Sequence, residues 1–256
     1  MIKAVFIDID GTLLSHKTRR IPDSTRRTIA ALREKGIKCV IATGRHMMEL
    51  GFLPMGDLRV DGYMMLNGQM GYDGDGKALY EVPFDEEARR FVIGEFRKKA
   101  IPFELVERDR MYINYIDETT VEVLKTVTTG PPVVGEYTGA PIFMATAFAG
   151  EREVELRREY AEHVLPARWH PYGIDLLPKT SGKDFGIRQY MAIFGLDREE
   201  TMAFGDEEND VEMLRYAGIG VAMGNGADIT KAAADHVTAD IDDDGLEKAV
   251  KYFGLL

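Results

Sequence analysis

Two carboxylates follow a short apolar run near the start of the chain, at a spacing that suits chemistry. Asp8 and Asp10 lie in the segment Val-Phe-Ile-Asp-Ile-Asp-Gly-Thr of residues 5–12. In an extended chain, residues i and i+2 point to the same side, roughly 6 to 7 Å apart. One substrate group could then touch both carboxylates before Gly11 turns the chain. The segment alone also fits a strand that ends in an ordinary polar turn, whereas a calcium loop is disfavoured because the other EF-hand ligands do not follow at their required spacing.

Three later segments place polar groups at the ends of further apolar runs. Thr43 and Gly44 follow the run at residues 40–42, a place suited to binding a phosphate oxygen where a helix begins. Asp206 opens the acidic segment 206–210 after another apolar run, and Lys183 lies between these segments in Ser-Gly-Lys-Asp. Each feature alone is typical of an ordinary surface. Together, and in this order, the four segments predict one active site.

These segments resemble the motifs of the haloacid dehalogenase-like phosphohydrolase superfamily, and more narrowly those of its Cof-type sugar-phosphate phosphatases. Further parts of that pattern are similar to residues 66–68 (Leu-Asn-Gly), 221–226 (Val-Ala-Met-Gly-Asn-Gly) and 232–238. Two positions depart from it. Asp184 stands where the family commonly has Gly, and residues 224–226 have Gly where Ala is frequent. Asp184 adds a negative charge beside Lys183, which would weaken phosphate binding by that lysine.

The resemblance implies an Mg²⁺-dependent phosphomonoester hydrolase whose nucleophile is Asp8. Asp10 would act as general acid and then base, and Lys183 would supply positive charge to the phosphoryl group. Mg²⁺ would be bound by Asp8, Asp206 and the main-chain carbonyl of Asp10. The five histidines are scattered without ligand spacing, and the remaining oxygen ligands favour Mg²⁺. The other implied contacts to the phosphoryl group come from Thr43, the Gly44 and Ile9 amides and Asn209, while Asp210 would orient Lys183 or a metal-bound water.

Composition and charge agree with an enzyme that acts on a small phosphorylated metabolite. The chain has 256 residues, a formal net charge of −11 and a pI near 5.0. These values argue against a nucleic-acid or anionic-membrane partner, because such surfaces need clustered Lys and Arg. The single cysteine, Cys39, cannot form an internal disulfide. We expect a reducing, cytoplasmic location, because the N-terminus is strand-like and no apolar run approaches the roughly 20 residues that span a bilayer. The sequence does not indicate an oligomeric state.

Apolar runs alternate with helix-like stretches along most of the chain. Strands are predicted at residues 2–8, 38–43, 62–66, 201–205 and 219–223, and helices at residues 23–35, 45–53, 184–194, 210–217 and 244–252. The alternation predicts an α/β fold with a doubly wound, Rossmann-like parallel sheet, whose ligands bind at the carboxyl ends of its strands. Turn dipeptides at residues 72–77 predict a hairpin whose aspartates form the turn.

Between residues 83 and 181 the pattern changes to α+β. Helices are predicted at residues 85–99, 117–127 and 151–163, and strands at residues 103–106, 111–116, 142–148 and 174–177. We therefore predict a catalytic core of residues 1–82 and 182–256 with an inserted domain at residues 83–181. The insertion resembles the α/β cap of Cof-type enzymes, a lid that selects the substrate. The cluster Trp169-His170-Pro171-Tyr172 either faces the substrate or packs inside this domain.

Two other functions would use the same residues. A sugar phosphomutase would need an arginine cluster for a second phosphate. The candidates Arg89 with Arg90, or Arg157 with Arg158, lie on amphipathic helices where a solvated face is the commoner explanation. A non-enzymatic sugar-phosphate sensor would tolerate loss of the two aspartates at positions 8 and 10, yet both are present. The expected substrates are hexose and pentose phosphates, with flavin mononucleotide or pyridoxal phosphate as alternatives.

Overall fold

The computed structural model describes residues 1–126 and 133–256. In those residues the strands are β1 Ala4–Ile7, β2 Lys38–Ala42, β3 Gly62–Met65, β4 Met70–Asp73, β5 Ala78–Glu81, β6 Phe103–Val106, β7 Met111–Ile113, β8 Met144–Phe148, β9 Leu165–His170, β10 Gly173–Leu177, β11 Thr201–Gly205, β12 Ile219–Ala222 and β13 His236–Val237. The α-helices are α1 Asp23–Glu34, α2 Glu86–Lys98, α3 Glu118–Leu124, α4 Glu153–Tyr160, α5 Lys183–Phe194, α6 Val211–Tyr216, α7 Asp228–Ala233 and α8 Gly245–Tyr252.

The chain divides into two compact units. The first unit comprises Met1–Arg45, Pro54–Glu81 and Gly182–Leu256, and the second comprises His46–Leu53 and Val82–Ser181. The segment His46–Leu53, which the sequence analysis placed in the core, falls in the second unit. Its first residue is attached there, because the buried His46 ring donates from Nε2 to the main-chain oxygen of Arg108 at 2.9 Å. The functional division into a core and a substrate-selecting cap stays a prediction.

The first unit is built on one sheet with the strand order β13-β12-β11-β1-β2-β3-β4-β5. The pairs from β13 to β3 are parallel, and the β3–β4 and β4–β5 pairs are antiparallel. All four residues of β1 are fully buried, as expected for a parallel strand covered on both faces. Helix α1 begins after Pro22 and ends before Gly36, whose φ is +79°. This arrangement confirms the predicted α/β fold class with a central parallel sheet.

The second unit is an antiparallel sheet with helices packed on it. Its strand order is β7-β6-β8-β10-β9, and every neighbouring pair is antiparallel. Val92 and Phe96 of α2, together with Leu156 and Tyr160 of α4, pack in one apolar cluster with alternate residues of the central strands. Trp169 and Tyr172 pack against a smaller cluster in the same unit, formed by Ile113, Val123 and Phe148.

Several predicted elements differ from the structure for local reasons. The helix predicted at residues 45–53 is a 3₁₀ helix, Met47–Phe52. It ends before Leu53, whose ψ is 149°, because Pro54 disfavours helical backbone there. The predicted strand at residues 111–116 ends at Ile113. Strand β9 was not among the predicted strands. It contains Pro166 and lies at the edge of its sheet, where proline is tolerated. The end of the helix predicted at residues 117–127 includes Val127, which lies outside the described residues.

The predicted hairpin is present between β4 and β5. The Asp73 carboxylate accepts the main-chain N–H groups of Asp75 and Lys77 at 3.0 and 2.9 Å. Asp73 therefore forms the turn, as predicted. In the part of the chain that the structure describes, no helix combines the length and apolar character needed to cross a membrane.

Candidate active site

Asp8 and Asp206 emerge side by side from neighbouring parallel strands. Asp8 follows β1 and Asp206 follows β11, and the two strands pair with Ile7 beside Phe204. The main-chain N–H of Asp8 donates to the oxygen of Phe204 at 3.0 Å, which continues the pairing past the end of β1. The carboxyl ends of parallel strands meet at one edge of a sheet. The sequence expectation that these two aspartates share a site therefore agrees with the geometry.

Lys183 joins Asp8 to a third buried carboxylate, that of Asp210. Its Nζ lies 2.6 Å from Asp8 Oδ1 and 2.5 Å from Asp210 Oδ1, and the lysine side chain is fully buried. Carboxylate oxygens of Asp8, Asp206 and Asp210 all lie within 4.8 Å of one another. The structure thus brings three carboxylates together, two of which contact a single ammonium group.

Asp210 holds its neighbours with both oxygens. Oδ1 accepts from Lys183, and Oδ2 accepts the main-chain N–H groups of Asp206 at 2.9 Å and Glu207 at 3.1 Å. Asp210 is therefore placed to orient Lys183 and the Asp206 loop. Of the two alternatives offered by the sequence, these contacts favour orienting the lysine.

Burial and mutual repulsion dominate the electrostatics of this cluster. Burial raises the pKa of Asp8 to about 7. The charge of Lys183 opposes this shift, and the charges of Asp210 and Asp10 reinforce it. Burial, with the charges of Asp8 and Asp210, raises the pKa of Asp206 to about 9. Burial would lower the pKa of Lys183, but the carboxylates of Asp210 and Asp8 outweigh it and raise that pKa. When all three carboxylates are ionised, their negative charge exceeds what one ammonium neutralises, so these oxygens fit a divalent cation.

The turn after Asp8 fits closely against Asp206. The Ile9 carbonyl accepts the N–H groups of Leu13 and Leu14 at 2.9 and 2.7 Å, which closes the turn. Gly11 has a φ of +88°, and a Cβ at this position would lie 2.0 Å from Asp206 Oδ2.

Two residues that the sequence analysis assigned no role fix this turn. Thr12 Oγ1 donates to Asp206 Oδ1 at 2.7 Å, and Asn225 Nδ2 donates to the main-chain oxygen of Gly11 at 2.8 Å. Asn225 Oδ1 in turn accepts the N–H of Ile241 at 2.9 Å. The position of Thr12 directly after Gly11 was the available signal for its contact with the site. Asn225 lies in the segment 221–226 that carried part of the family resemblance.

Asp10 is held by an arginine rather than by Lys183. Arg45 Nε lies 2.7 Å from Asp10 Oδ2, and Arg45 Nη2 lies 2.8 Å from Asp10 Oδ1. The Asp10 side chain is 35% exposed, and that of Arg45 is 10% exposed. Arg45 directly follows Thr43 and Gly44 in the sequence, but no role was predicted for it.

Thr43, Gly44 and Asn209 are linked through Asn67. The N–H of Asn67 donates to the Thr43 carbonyl at 2.9 Å, and Asn209 Nδ2 donates to Asn67 Oδ1 at 3.2 Å. A Cβ on Gly44 would lie 3.0 Å from Asn67 Nδ2. Asn67 has a φ of 52° and lies between Leu66 and Gly68, which also have positive φ values. Such backbone is costly for residues other than glycine and is enriched at functional sites.

Asp184, whose charge was expected to weaken phosphate binding by Lys183, pairs with another cation. Asp184 Oδ2 accepts from Arg188 Nη2 at 3.0 Å, one turn along α5. The charge of Asp184 is therefore paired with a cation on its own helix.

Comparison with known proteins identifies the class. A family model for haloacid dehalogenase-like hydrolases matches residues 5–250. The solved structure of the HAD subclass IIB sugar phosphatase BT4131 has a TM-score of 0.89 and 35% sequence identity, covering 99% of this chain and 100% of that one. Two curated relatives, each 30% identical, are the 5-amino-6-(5-phospho-D-ribitylamino)uracil phosphatase YitU of Bacillus subtilis (strain 168), over 98% of this chain and 97% of the relative, and the phosphoglycolate phosphatase of Methanoculleus marisnigri, over 99% and 97%.

The chain belongs to the haloacid dehalogenase-like hydrolases and is a phosphatase of that family. This confirms the family predicted from the sequence, including the likeness to its sugar-phosphatase subclass.

Alanine substitutions at Gly11 and Gly76 should lower stability by similar amounts but should differ in their effect on activity. Gly11→Ala and the control Gly76→Ala both place a side chain at positive φ, at +88° and +82°, but the space at Gly76 is open. Each variant should lose about 1–2 kcal/mol of unfolding free energy in urea, the cost of left-handed backbone. Only Gly11→Ala should also lose activity on p-nitrophenyl phosphate, by about 10²-fold, because Asp206 must shift. Equal activities in the two folded variants would contradict this account of the turn.

Proposed function

We propose that this phosphatase hydrolyses sugar phosphates or similar small phosphorylated metabolites through an aspartyl-phosphate on Asp8. The observation that carries the proposal is the Asp8 carboxylate at the end of β1, in contact with the buried Lys183 and beside Asp206. Support for the substrate class comes from BT4131, a sugar phosphatase similar along its full length. YitU and the Methanoculleus enzyme act on other small phosphate esters.

Mg²⁺ is the proposed cofactor. Asp8, Asp206 and the main-chain carbonyl of Asp10 would hold it, and Asp210 would support the site through its contacts with Asp206 and Lys183. When bound, the cation neutralises the charge that otherwise keeps a carboxylate and a phosphate dianion apart. An oxygen-only ligand set suits Mg²⁺.

The first chemical step belongs to Asp8 and Asp10. An Asp8 oxygen forms a bond to phosphorus while the ester bond from phosphorus to the leaving oxygen breaks. Asp10, protonated at this stage, gives its proton to that leaving oxygen, so that the product departs as a neutral alcohol. Asp8 is left as an acyl phosphate.

The second step restores both residues. The Asp10 carboxylate takes a proton from water as the water oxygen bonds to phosphorus, and the bond from phosphorus to the Asp8 oxygen breaks. Inorganic phosphate leaves, and Asp8 is again a carboxylate. Lys183, Thr43, Asn209 and the amides of Ile9 and Gly44 are proposed to hold the phosphoryl oxygens in both steps.

The contacts of the candidate mutase arginines favour a solvated face. Arg89 and Arg90 pair with Glu86 within one turn of α2, and Arg157 pairs with Glu153 within one turn of α4. Arg158 lies on the exposed side of the same helix. We therefore propose hydrolysis rather than transfer to a second phosphate position.

Removing the nucleophile should abolish turnover. Asp8→Asn keeps the shape of the side chain but should lower the rate on p-nitrophenyl phosphate by at least about 10⁴-fold, because no aspartyl-phosphate can form. The control Asp57→Asn, at a fully exposed side chain of the same unit, should keep wild-type activity. Excess chelator should abolish wild-type activity, and added Mg²⁺ should restore it. Full activity in the chelator, or in Asp8→Asn, would refute the mechanism.

Mg²⁺ affinity should rise with pH. The raised pKa values of Asp8, about 7, and Asp206, about 9, mean that both carboxyls are mostly protonated near pH 6 in the metal-free protein. Metal binding must then displace those protons, so the apparent Kd should fall by about tenfold or more between pH 6 and pH 8.

The stability of the metal-free protein should instead fall as pH rises. Carboxyls whose folded pKa is raised lose stabilisation as pH rises from their ordinary value of 3.8 through about 7 and 9. The Mg²⁺-induced increase in Tm should therefore be larger at pH 8 than at pH 6. Calorimetric titration and thermal unfolding check both points. A pH-independent Kd in the wild type would contradict the assigned ligands, and Asp206→Asn should weaken binding at both pH values.

Asp10 should separate the two chemical steps. With Asp10→Asn, p-nitrophenyl phosphate should still phosphorylate Asp8, because nitrophenolate leaves without a proton. Hydrolysis of the aspartyl-phosphate should slow by roughly 10²- to 10⁴-fold, the usual contribution of a positioned acid/base group. The measurement is a burst of nitrophenol followed by a slow steady state, with a mass increase on the peptide that contains Asp8. An unchanged steady-state rate would assign Asp10 a structural role, and preferential transfer to an added sugar phosphate would indicate a mutase.

A further inference from the structure

The guanidinium of Arg45 contacts both oxygens of the Asp10 carboxylate. The two contacts, 2.7 Å from Nε and 2.8 Å from Nη2, form a bidentate pair. A planar guanidinium matches the two oxygens of a carboxylate, whereas the ammonium of lysine is a point charge without this geometry. The contact therefore fixes the orientation of the Asp10 carboxylate and not only its charge.

The main chain of Arg45 is itself held within the first unit. Its N–H donates to Thr43 Oγ1 at 3.2 Å, and its carbonyl accepts the N–H of Leu66 at 3.1 Å. Arg45 thus extends from the same turn that carries Thr43 and Gly44. A fixed main chain and a bidentate side-chain contact together hold Asp10 from a defined direction.

This pair differs from the surface ion pairs of the chain. The Arg45 side chain is 10% exposed, compared with 53% for Arg188 and 56% for Arg215, which pair with acidic residues on their own helices. Exposed pairs of that kind contribute little, because water screens the charges and ordering long side chains costs entropy. Arg45 instead joins two loops that are 35 residues apart in sequence.

We propose that Arg45 is the positioning residue for Asp10, a role that rests on the acid/base function proposed above. A carboxylate offers about four lone pairs, and Arg45 occupies one on each oxygen. The remaining lone pairs are free to take the proton from water during hydrolysis of the aspartyl-phosphate, without loss of the Arg45 contact. In this role Arg45 acts through Asp10 and not on a reacting atom.

A double-mutant cycle on the full-length protein with Mg²⁺ tests the proposal. The variants are Arg45→Met, Asp10→Asn and the double variant, assayed with p-nitrophenyl phosphate and phenyl phosphate. The two probes share a ring, but phenol leaves poorly unless it receives a proton. The control is Arg33→Met, which removes another arginine–aspartate contact of the same unit, 3.0 Å from Asp61.

The expected pattern follows from misplacing the carboxylate of Asp10. Arg45→Met should slow the steady state by about 10²-fold with KM changed by less than about threefold. A nitrophenol burst should appear, as in Asp10→Asn, since the first step on this probe needs no proton. Phenyl phosphate should show no burst, because its first step needs a proton from Asp10. The double variant should be within about threefold of Asp10→Asn alone, because Arg45 has no effect once its target is gone. Arg33→Met should behave as wild type.

Other outcomes would overturn the proposal. If Arg45→Met slowed Asp10→Asn as much as it slowed the wild type, Arg45 would act independently of Asp10. A raised KM with unchanged kcat would make it a substrate-binding residue. If Arg45→Met fails to fold, Arg45→Lys carries the same cycle, because it keeps the charge and the apolar stem but loses the bidentate geometry. A normal steady state in Asp10→Asn itself would instead refute the acid/base function proposed for Asp10, so the two failures are distinguishable within one experiment.

Discussion

The site depends on a fully buried ammonium group between two buried carboxylates. Lys183 contacts Asp8 and Asp210 at 2.6 and 2.5 Å, and a third carboxylate, Asp206, lies within the same cluster. Burying ion pairs is costly, since the desolvation penalty often exceeds the Coulombic gain. The fold offsets part of this cost by holding the opposite charges in direct contact. Strand β1 pairs with β11 and α5 starts at Lys183, which brings the charges together at one edge of the sheet. The surplus of negative charge is poor for stability and suits a site that receives a divalent cation.

Two segments beside that cluster, the turn of residues 9–14 and the backbone at residues 66–68, have conformations and contacts that fit around it. Gly11 leaves room for Asp206, Thr12 donates to it, and Asn225 fixes the Gly11 carbonyl. On the other side, Asn67 adopts positive φ and links Thr43 to Asn209. Both segments place small or polar groups beside residues that are proposed to bind the phosphate or the metal. They are therefore better explained by the needs of the site than by packing.

The sequence predicted the parts of this arrangement that depend on local pattern. The apolar runs ending at Asp8 and Asp206, the proline and glycine around α1, and the Asp73 turn all follow from rules that act within a few residues. Long-range contacts had no such signal. Arg45 meets Asp10 only because β2 pairs with β1 and returns the chain to the same edge. Strand β9 was not predicted either. It contains Pro166, which is tolerated because β9 lies at the edge of its sheet.

Asp8 and Asp10 have different surroundings because the chain is not extended through both of them. Strand β1 ends at Ile7, and Asp10 lies in a tight turn rather than in extended chain. The two carboxylates remain close enough for Asp10 to help raise the pKa of Asp8, yet they contact different cations. Asp8 is buried against Lys183, while Asp10 is one-third exposed and held by Arg45. Two chemically identical side chains take different parts in a reaction when their environments differ. Burial beside a candidate metal site suits the carboxylate proposed to bond to phosphorus, and access to water with a fixed orientation suits the one proposed to move protons.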